Sequence, residues 1–501
     1  MKLKSHKTFL FFSVLLVFTT WNDIFAADFY VNLEVKSAYQ KVFELKLDQA
    51  EVLTRNLKRL QPENLSADFL EDYIDFFKIF IADDSKLFKK IAYREGDRLK
   101  KIEKTADDLS PYKKYLSAEI NLHWALINLK FGNYFSAFNR IKRAFNLLQA
   151  NTKLFPAFTP NQKSLGLIHA LISTIPNEYR WLVKALSGLN GNMNQARFEL
   201  EQVILYSKKN DFLFKDESII IYSLLLSNFD NDPAGAWHMI KNSNLSPSGS
   251  PLVSFLYAYL ATKNYQNDLA LQYLEQMPVG NEYYPVHYFD FFTGICKLRR
   301  LDPDASDYLQ KFIKNNHGTH LIKECYQKLA WSELVKGNKN GYLQYISLAK
   351  TEGASVMDED KQAEREATLN RIPDVSLLKA RLLFDGGYFQ KAEQIIMSNA
   401  NTKHTHLDYE LEANYRLGRI YHLEKKYDLA ISSYLEAAEE GIDSPEYYAC
   451  AAFLYAGQIY DKLNLPTLAT YYFEKCLKVN PKDYSAGLHQ KAKIGINKLN
   501  Q

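Results

Sequence analysis

The sequence predicts an all-α fold, a solenoid of antiparallel helix hairpins, and three observations carry that expectation. Apolar residues recur at spacings of three and four, as in DYIDFFKIFIADDSKLFKKIAY (72–93), which is the period of an amphipathic helix. Proline and glycine are sparse, at 15 and 20 among 501 residues, and alternating strand patterns are scarce. Small residues pair 12 positions apart across short turns, which lets the two helices of a hairpin approach closely.

The elements follow in order. Residues 1–26 read as a secretory signal: Lys2, Lys4 and Lys7, the apolar run FLFFSVLLVF (9–18), then IFAAD around the cut. The run is too short for a bilayer, which needs roughly 20 residues, and no other run is long enough for a transmembrane segment. No cysteine lies near the cut, so no lipid anchor is expected. Residues 27–350 read as a degenerate helical-repeat region. Ala38 and Ala50 form its first small pair, and Ala125 and Ala137 bracket the turn FGNYF. Residues 151–165 carry two prolines and break a helix. Lys184 and Ala196 flank NGNMN, and NSNLSPSGSP (242–251) is a loop by composition. Ala258 pairs with Ala270, and Leu329 and Gly341 flank KGNKN. Gly132, Gly191, Gly337 and Gly387 sit where a chain reversal between helices needs glycine. Residues 351–372 are charged and read as a hinge or linker helix. Residues 373–501 form a regular repeat region, in which Ala380 pairs with Ala392, Gly418 with Ala430 and Gly457 with Ala469.

Two units carry a family resemblance. They are YRLGRIYHLEKKYDLAISSYLEAAEEG (415–441) and AFLYAGQIYDKLNLPTLATYYFEKCLKVNP (452–481), with Leu417-Gly418, Tyr421, Ala430, Tyr434 and Ala437 in the first. The second repeats them as Ala456-Gly457, Tyr460, Ala469, Phe473 and Cys476. These residues resemble the tetratricopeptide repeat, a 34-residue pair of antiparallel helices, closely over 373–481 and in decayed form upstream. The resemblance implies a right-handed superhelix that binds a protein or peptide partner along its first helices. In that register the binding face holds Arg381 and Phe384, then Tyr415, Arg419 and His422, then Gln458 and Lys462. Arg381 and Arg419 are placed to clamp carboxylates. The lysine–asparagine clamp of chaperone-binding repeats is absent, since Tyr415 and Arg419, then Leu454 and Gln458, stand there.

Composition narrows the function. Lysine plus arginine is 62 against 58 acids, a net charge of +4, which gives no electrostatic case for nucleic acid or an anionic membrane surface. No phosphate-binding loop, GxGxxG, HExxH or GxSxG motif occurs, so no enzyme and no cofactor are expected. His404 and His406, like His317 and His320, lack a further ligand pair at metal spacing and read as solvated turn residues. The four cysteines, without a CxxC, read as small buried apolar residues. The expectation is a non-catalytic scaffold or adaptor, exported to the bacterial envelope: periplasmic, outer-membrane-associated or secreted. The alternative is a glycan or small-molecule binder, or a glycan-active enzyme. Its motive is the 34 tyrosines and 31 phenylalanines, which would line an aromatic-rich cleft.

Overall fold

The computed structural model describes residues 29–173, 191–369, 371–399 and 409–499. The signal read at 1–26, together with Lys184, His404 and His406, lies outside the described residues. Among the described residues every α- or 3-10 segment is helical and none is a strand. No described helix is long and apolar enough to cross a membrane. The chain forms two compact units, Met1–Val253 with Pro278–Pro285, and Ser254–Met277 with Val286–Gln501.

The first unit pairs α1 (Leu33–Phe43) with α2 (Leu47–Leu60), and α3 (Ser66–Ala82) with two short helices, α4 (Ser85–Ile91) and α5 (Tyr93–Thr105). It continues with α6 (Pro111–Lys130) on α7 (Tyr134–Leu154), α8 (Asn161–Ser173) on α9 (Met193–Ser207), and α10 (Lys215–Asn228) on α11 (Pro233–Lys241). The second unit, which takes α12 (Pro251–Lys263) from Ser254 on, pairs it with α13 (Asn267–Glu275), then α14 (Tyr288–Arg300) with α15 (Ala305–Asn315), and α16 (Ile322–Val335) with α17 (Lys339–Thr351). A single helix, α18 (Asp358–Thr368), follows. Then α19 (Val375–Asp385) pairs with α20 (Phe389–Asn399), α21 (Tyr409–Leu423) with α22 (Tyr427–Glu440), and α23 (Tyr448–Lys462) with α24 (Pro466–Lys478), before the last helix α25 (Ser485–Leu499). Each unit is thus a helical solenoid of stacked pairs.

The 12-residue pairs do what close packing requires. Ala38 and Ala50, Ala125 and Ala137, Ala258 and Ala270, and Ala380 and Ala392 are all buried. A Cβ on Gly418 would lie 2.5 Å from Cδ1 of Tyr434, and one on Gly457 2.6 Å from Cδ1 of Phe473. The missing side chain is therefore the seat for the next helix's ring. In the pairs whose connection is described, chain reversal falls on one left-handed residue each. Three are glycines, Gly132, Gly337 and Gly387; others are Leu45, Tyr265, Leu301 and Lys425. Gly191 follows residues outside the described ones and shows a second reason for glycine. A Cβ there would lie 2.9 Å from the Cα of His169, so its requirement is close approach.

The charged stretch 351–372 is not a free linker. Its helix α18 packs on α16 and α17, with residues on both sides of it in the same compact unit. Asp360 is fully buried and accepts from the backbone N–H groups of Leu321 (2.7 Å) and Glu324 (3.1 Å), which caps the start of α16. Pro156 separates α7 from α8, and the 242–251 stretch holds only a single 3-10 turn, Pro247–Gly249, before α12 begins. All four cysteines are buried and free, with the Sγ atoms of Cys450 and Cys476 3.5 Å apart. His320 is buried rather than solvated, because α18 lies against its turn.

Candidate functional site

In the second unit the first helices of successive pairs place three cations against aromatic rings. Trp331 on α16 is buried, and its indole N–H donates to Oε1 of Glu366 at 2.7 Å. Two cations share that ring. Nζ of Lys328 lies 3.8 Å from the centroid, and the Arg381 guanidinium of α19 lies 4.7 Å from it. Burial and the nearby Arg381 pull the Lys328 ammonium below its ordinary value. One repeat on, Arg419 of α21 sits 4.3 Å from the Tyr455 ring and 5.4 Å from the Phe384 ring, and donates to the Tyr455 hydroxyl at 2.8 Å. Neither Arg381 nor Arg419 makes an ion pair among the described residues. By contrast, Arg416, three residues before Arg419, is tied to Glu412.

The expected face is only partly exposed. Gln458 and Lys462 are exposed, while Arg381, Phe384, Arg419 and His422 are half-buried. Tyr415 differs: it is 6% exposed, packed against the rings of Tyr448 (5.2 Å) and Tyr447 (5.8 Å). The following pair covers it, so it is core and not a contact residue. His422 lies under Tyr434 and Tyr455. Burial, with Arg419 and Lys462 nearby, pushes its imidazole down to about 4. It is neutral at pH 7. Arg381, Phe384 and Arg419 are brought together; Gln458 and Lys462 lie one repeat further on, on α23. Sequence reasoning missed Trp331, Lys328 and Tyr455. The Leu329 and Gly341 pair fixes the register that would have put Lys328 and Trp331 beside that seam.

The first unit holds a buried charge centre that sequence reasoning also missed. Lys163 of α8 is 2% exposed, and its ammonium lies 2.5 Å from Oε2 of Glu119 on α6 and 2.9 Å from Oε1 of Glu217 on α10. The hydroxyls of Tyr39 and Tyr73 both donate to Oε2 of Glu217 at 2.7 Å. His123 joins through Nδ1, 2.7 Å from Oδ2 of Asp72, and Trp124 donates to the other oxygen of Asp72 at 2.9 Å. Glu119, His123 and Glu217 offer ligand atoms within 4.8 Å of one another, the spacing of a metal site. Lys163 already supplies the cation there, so the arrangement fits an internal ion pair better than a resident metal.

Beside this centre, α3 and α5 meet through charges. Arg94 and Arg98 reach Asp75 at 2.9 and 2.5 Å, Arg98 reaches Asp72 at 3.2 Å, and Lys101 reaches Asp68 at 2.5 Å. Acids at 68, 72 and 75 and bases at 94, 98 and 101 both follow the i, i+4, i+7 spacing of one helix face. That doubled spacing is the signal that could have revealed the pairing.

Residues 411–440 and 453–483 match the family described as tetratricopeptide repeat. No curated protein matches the chain. Among solved structures, the human IFIT1 dimer with PPP-AAAA is similar at 15% identity and a TM-score of 0.32, over 95% of this chain and 96% of that one. The P58(IPK) TPR domain is similar at 15% identity and a TM-score of 0.21, over 85% of this chain and 99% of that one. The family match falls on α21 to α24, where the glycine seats and their rings are found, and these two helix pairs are tetratricopeptide repeats.

Proposed function

We propose that this chain is a non-catalytic scaffold that binds a carboxylate-bearing segment of a partner protein along the first helices of its second unit, and that it is exported and acts at the bacterial envelope. One observation carries the binding reading: Arg381 and Arg419, one repeat apart, stand over aromatic rings and make no ion pair among the described residues. Guanidinium groups resting against rings still carry N–H donors for a carboxylate, Arg419 through those it does not spend on the Tyr455 hydroxyl. Repeat arrays of this kind use successive first helices to read an extended peptide. Export rests on the basic, apolar and small-residue pattern of residues 1–26.

Fluorescence anisotropy with an octapeptide rich in Asp and Glu tests it. The purified chain binds that peptide, and the Arg381→Gln, Arg419→Gln double variant binds roughly tenfold or more weakly, since a charge-assisted pair contributes about 1.5–3 kcal/mol. An unchanged affinity, or equal binding of a Lys-rich octapeptide, contradicts the proposal.

A second reading has one observation behind it. A cleft of about 330 Å³ in the first unit is lined by six aromatic rings, among them Tyr112, Phe158 and Phe212. It suits a small apolar molecule or a sugar ring. Capture of a glycan or hydrophobic probe there, with no binding of the acidic octapeptide, would put this reading first.

A further inference from the structure

The first unit also carries a cleft of about 630 Å³ between α2, α3 and α5. Ten of its twelve lining side chains are charged, five of each sign, and none is aromatic. Its floor is already paired: Lys58 and Lys101 both reach Asp68, and Arg94 and Arg98 both reach Asp75.

Three groups keep unspent capacity, although Arg55 Nε donates to the Glu51 carbonyl at 3.4 Å. Arg55 on α2 and Asp97 on α5 are exposed lining residues, and neither makes an ion pair among the described residues. Thr54 also lines the cleft, is 1% exposed, and its Oγ1 has no hydrogen-bond partner among the described residues. A buried hydroxyl without a partner is costly, and a bound polar group removes that cost.

We propose that this cleft binds a short zwitterionic peptide, with its carboxylate on Arg55, its ammonium on Asp97 and a backbone amide group on the Thr54 hydroxyl. Charge balance selects this class. A ligand of a single sign would meet as many like charges as opposite ones, whereas a ligand with both termini free meets one unspent partner for each. The absence of a ring argues against a sugar or a nucleobase, which rely on stacking. The volume suits a few residues rather than one amino acid. This proposal is independent of the arginine face of the second unit.

Calorimetric titration of the purified chain at low salt tests it with three probes: tri-alanine, its N-acetylated form and its C-terminal amide. Tri-alanine binds, and each capped form binds roughly tenfold or more weakly. Arg55→Gln lowers tri-alanine to the level of the amide, and Asp97→Asn lowers it to the level of the acetylated form. Both substitutions lie on exposed helix positions, and circular dichroism verifies that the helices are intact. Thr54→Val, which keeps the shape, weakens all three probes. No binding of tri-alanine up to about 10 mM overturns the proposal, as does binding indifferent to capping or to both charge variants.

Discussion

Lys163 carries an ammonium into a place that water scarcely reaches, and two carboxylates from two other helices meet it there. Burial alone would push the Glu217 carboxyl up, but Lys163, with Tyr39 and His123, outweighs it and holds that carboxyl below its ordinary 4.5. The stability this lends is complete above pH 4.5 and is lost as pH falls through the lowered value. Removing the cation leaves Glu119 and Glu217 buried with hydroxyl donors but no opposite charge. Lys163→Met is therefore expected to destabilise the first unit by about 3–5 kcal/mol in urea titration. A loss below about 1 kcal/mol would show that water or relaxation already screens the pair. None of this was legible in NQKSLGLIHA, because a lysine on an amphipathic helix looks like any solvated lysine until α6 and α10 are seen beside it.

Helices and turns were far more legible than sites. Small residues 12 apart mark helix pairs because two helices cannot approach closely around a large side chain, and Gly418 and Gly457 show the clearance directly. Turns were legible only where glycine marks them. Leu45, Tyr265, Leu301 and Lys425 adopt the same left-handed turn without any sequence mark. That conformation costs a non-glycine residue about 1–2 kcal/mol, partly offset by the greater freedom glycine has when unfolded. Lys425 is exposed with φ 62°, so Lys425→Gly is expected to stabilise the chain by about 0.5–1 kcal/mol, read as a raised Tm. An unchanged or lowered Tm would mean that the lysine makes contacts worth more than its strain. Helix α18 shows the opposite limit. Its buried side is only Asp360, Ala363 and Ala367, so composition suggested a linker where the chain caps and braces α16. The acid and base stripes on α3 and α5 were readable in principle, since both follow helix spacing. Their partnership was hidden because the short helix α4 intervenes between them.

At the scale of the whole molecule, the family signature and the mixed-sign cleft fall in different compact units. The tetratricopeptide repeats occupy 411–440 and 453–483, while the paired charges and the mixed-sign cleft lie in the other compact unit. A scaffold needs surfaces with unmatched groups, and the repeat-bearing unit supplies them as Arg381 and Arg419 on neighbouring first helices. The proposed function requires partner contact on that face. It is tested most directly by photo-crosslinking in cells with a reactive residue at Gln458, exposed on the first helix α23, and a control at Glu436, exposed on the second helix α22. The account predicts a protein adduct from position 458 that disappears when Arg381 and Arg419 are both changed to Gln, and none from position 436. Equal adducts from both positions, or an adduct at 458 indifferent to the two arginines, would contradict it.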